Sequence, residues 1–274
     1  MRQQLRMATL GGVGGALGML LGEALGDRQW GQRSGAGLVL AVAAWSATTS
    51  IPIAVTLRWA IARQGRHLFP SPRQLARTIS VGTIVGAASG ASAQFVYNQF
   101  SNGNLKEYFA RPLCWGIMGG LLGYALTFAI PNLKRARGGI LGLIGGTVGG
   151  AAFVASSHLG LPATVSRGLG GIAIGALIGL GVAIAEALQV QRSTSIEVIH
   201  GPNESMRIAL GRDAITFGAS SRDTVYVHGF DARALTIVLR QGTVYAHQPS
   251  RGEVPLRDGS TIQLGKVTIR VKQA

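Results

Sequence analysis

The chain holds one cysteine, Cys114, so it can form neither an intrachain disulfide nor a cysteine-based metal site. Aromatic residues are only 6% of the whole, and 11 acidic residues face 26 lysines and arginines. Charge is also missing in a particular place. Several runs in the first two-thirds carry almost none, and each is about 20 residues long, the length of helix that crosses a hydrocarbon core. The five histidines, His67, His158, His200, His228 and His247, show no paired metal-ligand spacing. There is no Gly-x-Ser-x-Gly elbow, no phosphate-binding loop and no His-Glu-x-x-His helix. The chain is therefore not expected to be an enzyme or to need a metal or cofactor.

What is abundant is glycine, at 41 of 274 residues, without the period of three that a collagen-like helix requires. The apolar runs predict six spans: Met7–Leu25, Gly37–Leu57, Thr78–Tyr97, Leu113–Ile130 (stopped by Pro131), Gly138–Ser156 and Leu169–Leu188. A backbone in lipid must satisfy its own polar groups, so these spans should be α-helices. The expected domains are a glycine-rich transmembrane domain over residues 1–190 and a small soluble domain over residues 191–274.

The positive charge follows this division. Residues 1–190 carry 15 Lys and Arg against 4 Asp and Glu, mostly between spans. Strongly basic segments (Arg2 and Arg6; Arg58, Arg63, Arg66, Arg73 and Arg77; Lys134, Arg135 and Arg137) alternate with weakly charged ones (Asp27, Arg28 and Arg33; Lys106, Glu107 and Arg111; Arg167). The excess of cations on the inner side predicts an inner-membrane, multi-pass protein with both termini cytoplasmic. The partner implied for the arginines is the lipid bilayer, not nucleic acid. The sequon Asn203-Glu204-Ser205 would matter only for an extracellular tail, and the charge pattern sets it aside.

The glycines recur at helical spacing: Gly14, Gly18, Gly22 and Gly26; Gly82, Gly86 and Gly90; Gly138, Gly142, Gly146 and Gly150; Gly171, Gly175 and Gly179. Residues four apart share one helix face, and a face without side chains lets a second helix approach closely. Close helix packing is the first reading, a pore lined by small residues the second. Homo-oligomers formed through these faces are a further expectation.

Polar groups inside the spans are the candidate intramembrane residues. Two carboxylates qualify, Glu23 near the outer end of the first span and Glu186 near the cytoplasmic end of the sixth. The second span centres on Ser46, Thr48, Thr49 and Ser50, followed by Pro52, which removes a backbone donor. Their hydroxyls can bond back to carbonyls or line a polar path, and Ser89, Ser92 and Gln94 of the third span could face them.

After Gln191 the pattern changes to short, alternating, β-branched segments with turns at Gly201-Pro202, Gln241-Gly242 and Asp258-Gly259, which predicts a small all-β sandwich. Eight strands are expected, at 196–200, 206–210, 214–217, 224–227, 235–239, 243–247, 261–264 and 267–271.

Three segments of this tail resemble the forkhead-associated (FHA) family: Ala214-Ile215-Thr216-Phe217-Gly218-Ala219-Ser220, Asp223-Thr224-Val225-Tyr226-Val227, and the closing hairpin Leu256-Arg257-Asp258-Gly259-Ser260-Thr261-Ile262-Gln263-Leu264-Gly265. The likeness covers about the last 75 residues and implies a bacterial membrane protein with a cytoplasmic recognition domain. In that family an Arg after a Gly, a Ser-Arg-x-His segment and a loop Asn read phosphothreonine by charge-assisted bonds. Here Ala219 stands in place of that Arg, and Asp231-Ala232-Arg233-Ala234-Leu235 keeps only Arg233. The resemblance thus leaves Ser220, Ser221, Arg222 and Arg233 as a degenerate partner- or phosphopeptide-binding site. The implied function is a membrane-anchored adaptor that recruits a cytoplasmic or membrane protein, a phosphoprotein among the candidates. The alternative is a small channel or transporter regulated by the tail.

Overall fold

The computed structural model describes residues 2–25, 35–99, 103, 106–130, 133–201, 204–250 and 252–273. Gly26, Asp27, Arg28, Arg33, Pro131, Pro202 and Asn203 lie outside the described residues, as do the side chains of Lys106 and Glu107. The helices are α1 (Arg2–Leu25), α2 (Ala36–Gln64), α3 (Pro72–Gln99), α4 (Arg111–Leu126), α5 (Arg135–His158) and α6 (Ala163–Gln191). Nine strands follow among the described residues. The chain divides into two compact units. The first is Met1–Ala60, Pro72–Phe128 and Arg135–Ala185; the second is Ile61–Ser71, Ala129–Lys134 and Glu186–Ala274.

Among the described residues, five of these helices are long and apolar enough to cross a membrane. The fourth differs from the expected span Leu113–Ile130. Its regular part has 16 residues, between a π-turn at Lys106–Ala110 and a 3₁₀ turn at Thr127–Ala129. Pro112 cannot donate in a ladder and suits a helix start. At the other end the Thr127 hydroxyl donates to the Tyr124 carbonyl at 2.7 Å, where the helix tightens.

The helical unit is built on glycine. α1 turns Gly11 and Gly15 to Gly171 and Gly175 of α6, while Gly14, Gly18 and Gly22 meet Pro52, Thr49 and Trp45 of α2. Gly82, Gly86 and Gly90 of α3 meet the Val42–Ile51 stretch of α2. Gly119 and Gly123 of α4 interlock with Gly138, Gly142 and Gly146 of α5, and Gly145 and Gly149 of α5 lie against Leu177 and Ile174 of α6. α3 also packs on α4, where the Cys114 thiol donates to the Ala93 carbonyl. Each helix thus packs antiparallel on its sequence neighbours, and α6 returns to α1, closing a ring.

Side chains at these seams would force the backbones apart. A Cβ at Gly145 would stand 2.7 Å from the Leu177 carbonyl carbon, and one at Gly86 would stand 2.7 Å from the Ala47 Cα. Dispersion and Cα–H···O contacts replace the hydrophobic effect as the glue in lipid. Many large aliphatic side chains point outward, Leu17, Leu20, Leu40, Ile84, Ile140 and Ile144 among them, while Ile53, Leu57, Leu122, Ile174 and Ile178 are buried within the unit. Glycine at the helix seams together with an aliphatic outer surface departs from the pattern of a water-soluble bundle.

In the second unit, β1 (Ser195–Gly201), β2 (Glu204–Ala209), β8 (Thr261–Leu264) and β9 (Val267–Lys272) form one sheet in the order β2-β1-β9-β8. β3 (Ile215–Gly218), β4 (Val225–Tyr226), β5 (Leu235–Arg240), β6 (Thr243–Gln248) and β7 (Gly252–Leu256) form the other, in the order β4-β3-β5-β6-β7. All pairs are antiparallel except β3 with β4. Alternate residues face a shared core: Ile196, Val198, Ile269 and Val271 from the first sheet, Ile215, Phe217, Leu235, Ile237 and Val244 from the second. The β5–β6 hairpin turns at Gln241 and Gly242, both with positive φ, the geometry of a two-residue type I′ turn. The strand over Gly252–Leu256 was not among the eight expected.

Candidate functional site

In the helical unit, the ends of α1, α3 and α5 and the starts of α2, α4 and α6 line a partly open cavity of about 800 Å³. It lies at the end of the ring opposite to the one from which α6 runs on into the tail. Trp45 of α2 and Trp115 of α4 meet edge to face, with ring centroids 5.7 Å apart, and Phe153 of α5 lies 6.4 Å from Trp115. Together they form an aromatic wall. Arg111 enters from α4, its guanidinium carbon 5.7 Å from the Phe153 ring centre. On the far side Arg167 of α6 donates to Glu23 of α1 at 2.5 Å. Further along the helices, beyond the residues that line the cavity, Ile53, Leu57, Leu122, Ile174 and Ile178 are fully buried.

The hydroxyl patch of α2 divides in two. Ser46 faces the cavity. The hydroxyls of Thr48 and Thr49 turn back to the Trp45 carbonyl at 2.8 and 3.0 Å. Ser50 is fully buried next to Gly86, and its hydroxyl has no partner among the described residues. Ser89 and Gln94 of α3 reach the cavity, Ser89 donating to the Gly86 carbonyl at 3.0 Å, whereas Ser92 is exposed and stands apart. Glu23 is thus an ion-pair partner at a cavity rim. Glu186 sits near the opposite end of α6, half-buried and engaged with its surroundings. Sequence reasoning did not single out Arg111, Trp115, Phe153 or the pairing of Glu23 with Arg167. The available signal was that charged and aromatic residues gather at matching ends of alternate helices.

In the second unit the candidate loops meet at Asp223, which is 4% exposed. One of its carboxylate oxygens, Oδ2, accepts from the backbone N–H of Ser220 at 3.0 Å and of Arg233 at 3.3 Å, tying the β3–β4 loop to the β4–β5 loop. Gly218 leaves room for this; a Cβ there would lie 2.6 Å from the same oxygen. The Ser220 hydroxyl accepts from the N–H of Arg222 at 3.2 Å. Ser221, Arg222 and Arg233 are exposed, and Arg233 has a positive φ of 53°. The two candidate arginines are therefore brought into adjoining loops.

The same corner carries the segment between α2 and α3. The backbone N–H of Tyr226 donates to the Gly65 carbonyl at 2.7 Å, at the outer edge of β4. His67 Nε2 is 2.8 Å from the Asp223 carbonyl oxygen, and its ring lies 5.8 Å from that of Tyr226. Arg66 pairs with Glu204. Two titrating groups stand out in the sandwich. Burial pushes the His200 imidazole below its ordinary value; the Arg66 cation adds to this and Glu204 opposes it. A hydrogen bond from Lys272 holds the Glu197 carboxyl below its ordinary value despite partial burial, and Arg207 contributes.

No family model matches the chain, and no curated protein matches it. Among solved structures, the chain is similar to one titled "Rv0020c_FHA Structure", at 18% identity over 30% of this chain and 93% of that one, with a TM-score of 0.26.

Proposed function

We infer that the chain is a membrane-anchored adaptor. Its helical ring holds the sandwich at the inner face of the cell membrane, with both termini cytoplasmic. The exposed loops Ser220–Arg222 and Asp231–Arg233 offer Arg222 and Arg233 to a partner protein. The observation that carries this reading is the buried Asp223 carboxylate. It takes up the backbone donors of Ser220 and Arg233, which would otherwise be free to receive an external anion. The loops are stiffened by a built-in negative charge, so recognition does not depend on phosphothreonine.

Crosslinked affinity purification of the full chain from native membranes tests the reading. The expected result is a partner captured equally well before and after phosphatase treatment, and lost with the double substitution Arg222→Glu and Arg233→Glu. Equal capture by that variant removes the loops from the interaction. Capture abolished by phosphatase restores a phosphate-dependent reader.

A transporter is the second reading, favoured by the cavity in the helical unit.

A further inference from the structure

We propose that Leu68 and Phe69, in the turn between α2 and α3, are a lipid-contact site that seats in the headgroup layer of the bilayer the helices cross. The inference rests on the membrane-anchor reading and adds to it a second point of attachment, on the sandwich's own unit. Among the described residues of that unit, the exposed large apolar residues are Leu68, Phe69 and Val254, at 65%, 66% and 48%. Two of the three are adjacent, and they stand where the chain turns between two spans. Leu68 has a polar interaction of its own; a leucine makes one only through its backbone, so the side chain is not consumed by it.

Connectivity sets the height of this turn. α2 and α3 are both long and apolar enough to cross a membrane, and only residues 65–71 lie between them. Residues 36–57 of α2 and 78–99 of α3 carry no charge. Each stretch has 22 residues, about 33 Å of helix against a hydrocarbon core of about 30 Å. Arg58 and Arg77 end these stretches and are near enough for their charges to interact, so they mark one level. Beyond it each helix runs on for about 9–10 Å before the turn, which reaches the outer part of the headgroup layer. Trp59, next to Arg58, is the kind of ring that gathers at this depth. Arg63 and Arg73 flank the turn, are exposed, and suit lipid phosphates.

The turn has two sides of different chemistry. The Gly65 carbonyl takes the Tyr226 N–H, His67 Nε2 meets the Asp223 carbonyl oxygen, and Arg66 pairs with Glu204. These polar contacts use the side that faces the sandwich and leave Leu68 and Phe69 outside it. Kept in water, the two side chains would stay hydrated beside the nearest apolar medium, the acyl boundary under the headgroups. Asp223 also ties the Ser220–Arg222 and Asp231–Arg233 loops. Lipid contact at Leu68 is thus one residue away from a brace of the recognition corner.

The single cysteine makes spin labelling direct: Cys114→Ser clears the chain of other thiols. The full chain is reconstituted, one copy per disc, in phosphatidylcholine nanodiscs containing a quarter phosphatidylglycerol. A nitroxide is placed at Phe69→Cys, with Ile84→Cys on the exposed face of α3 as the lipid reference and His247→Cys on β6 as the water reference. Collisions are measured with oxygen, which concentrates in lipid, and with a water-soluble nickel chelate.

The expected result is that the Phe69→Cys label meets the nickel chelate at least threefold less often than the His247→Cys label, and meets oxygen more often. A smaller drop in nickel collisions overturns the proposal. So does shielding from nickel and oxygen alike, which marks cover by protein. Leu68→Cys is judged by the same criteria where Phe69→Cys fails to fold. A wet Phe69→Cys label beside an Ile84→Cys label dissolved in lipid sinks the contact site and leaves the membrane anchor standing. An Ile84→Cys label as wet as that at His247→Cys sinks both.

Discussion

The backbone N–H of Tyr226 donates to the carbonyl oxygen of Gly65 at 2.7 Å, so the turn after α2 covers the outer edge of β4. β4 is a two-residue edge strand, short and poorly held by its single neighbour β3. The added segment gives that edge a partner, and His67 braces it through the Asp223 carbonyl.

Substituting Gly65→Val should undo the arrangement, because a side chain there collides with the Thr224 carbonyl oxygen. Loss of one net hydrogen bond costs about 1 kcal/mol. The Tyr226 amide should exchange its hydrogen several times faster in the variant, while core amides such as that of Ile237 keep their rates. An unchanged Tyr226 rate would show that the edge is held by other contacts.

Asp223 predicts a larger loss. Removing a buried carboxylate that accepts two backbone bonds leaves both loops untied, at about 2–4 kcal/mol. Asp223→Ala should lower the sandwich melting temperature by several degrees and broaden the resonances of Ser220 and Arg233. Asp223→Asn keeps one acceptor oxygen and should fall between. Wild-type melting in the alanine variant would falsify the tether.

The stability of the sandwich should depend on pH in two windows. His200 has a folded value below its ordinary 6.5, so the unfolded chain binds its proton first. Stability is complete above about pH 6.5 and declines as the pH drops below it. Glu197, also lowered, adds stability that is present above the ordinary carboxylate value and disappears as acid reaches its folded value. Thermal melts between pH 7.5 and 3 should show both losses. His200→Gln should erase the first and leave the second, and a flat profile from pH 7.5 to 5.5 contradicts the assignment.

The glycine seams make a matched pair of predictions. Gly145→Val places carbon against the Leu177 backbone and should lower the melting temperature of the purified protein in detergent by ten degrees or more. Gly168→Ala, on α6 with nothing within 4 Å of the added atom, should be neutral or raise stability by up to about 1 kcal/mol. Equal behaviour of the two would mean that the seams are loose.

Much of this fold could be read from local pattern. Apolar runs and glycines four apart marked the helices and their contact faces, because both signals are periodic along the chain. The alternation of Ile196 and Val198, or of Leu235 and Ile237, marked strands with one buried face. β7 escaped because it has little such face. Four of its five residues are exposed, it carries Pro255, and it pairs only with β6. The cavity was less visible still. Glu23 and Arg167 are distant in sequence, and only the closure of α6 on α1 sets them side by side. The α2–α3 segment read as a basic loop beside lipid; its backbone contacts with β4 leave no mark in composition.

The closure of the ring also sets a timetable. The Gly11–Gly15 face of α1 is synthesised about 160 residues ahead of its counterpart, Gly171–Gly175 on α6. At ordinary rates of translation the interval is roughly 10 to 30 seconds. Throughout it, the bare backbone stripe of α1 must be sheltered by lipid tails or by the insertion machinery, and the final helix displaces that chaperone when it arrives.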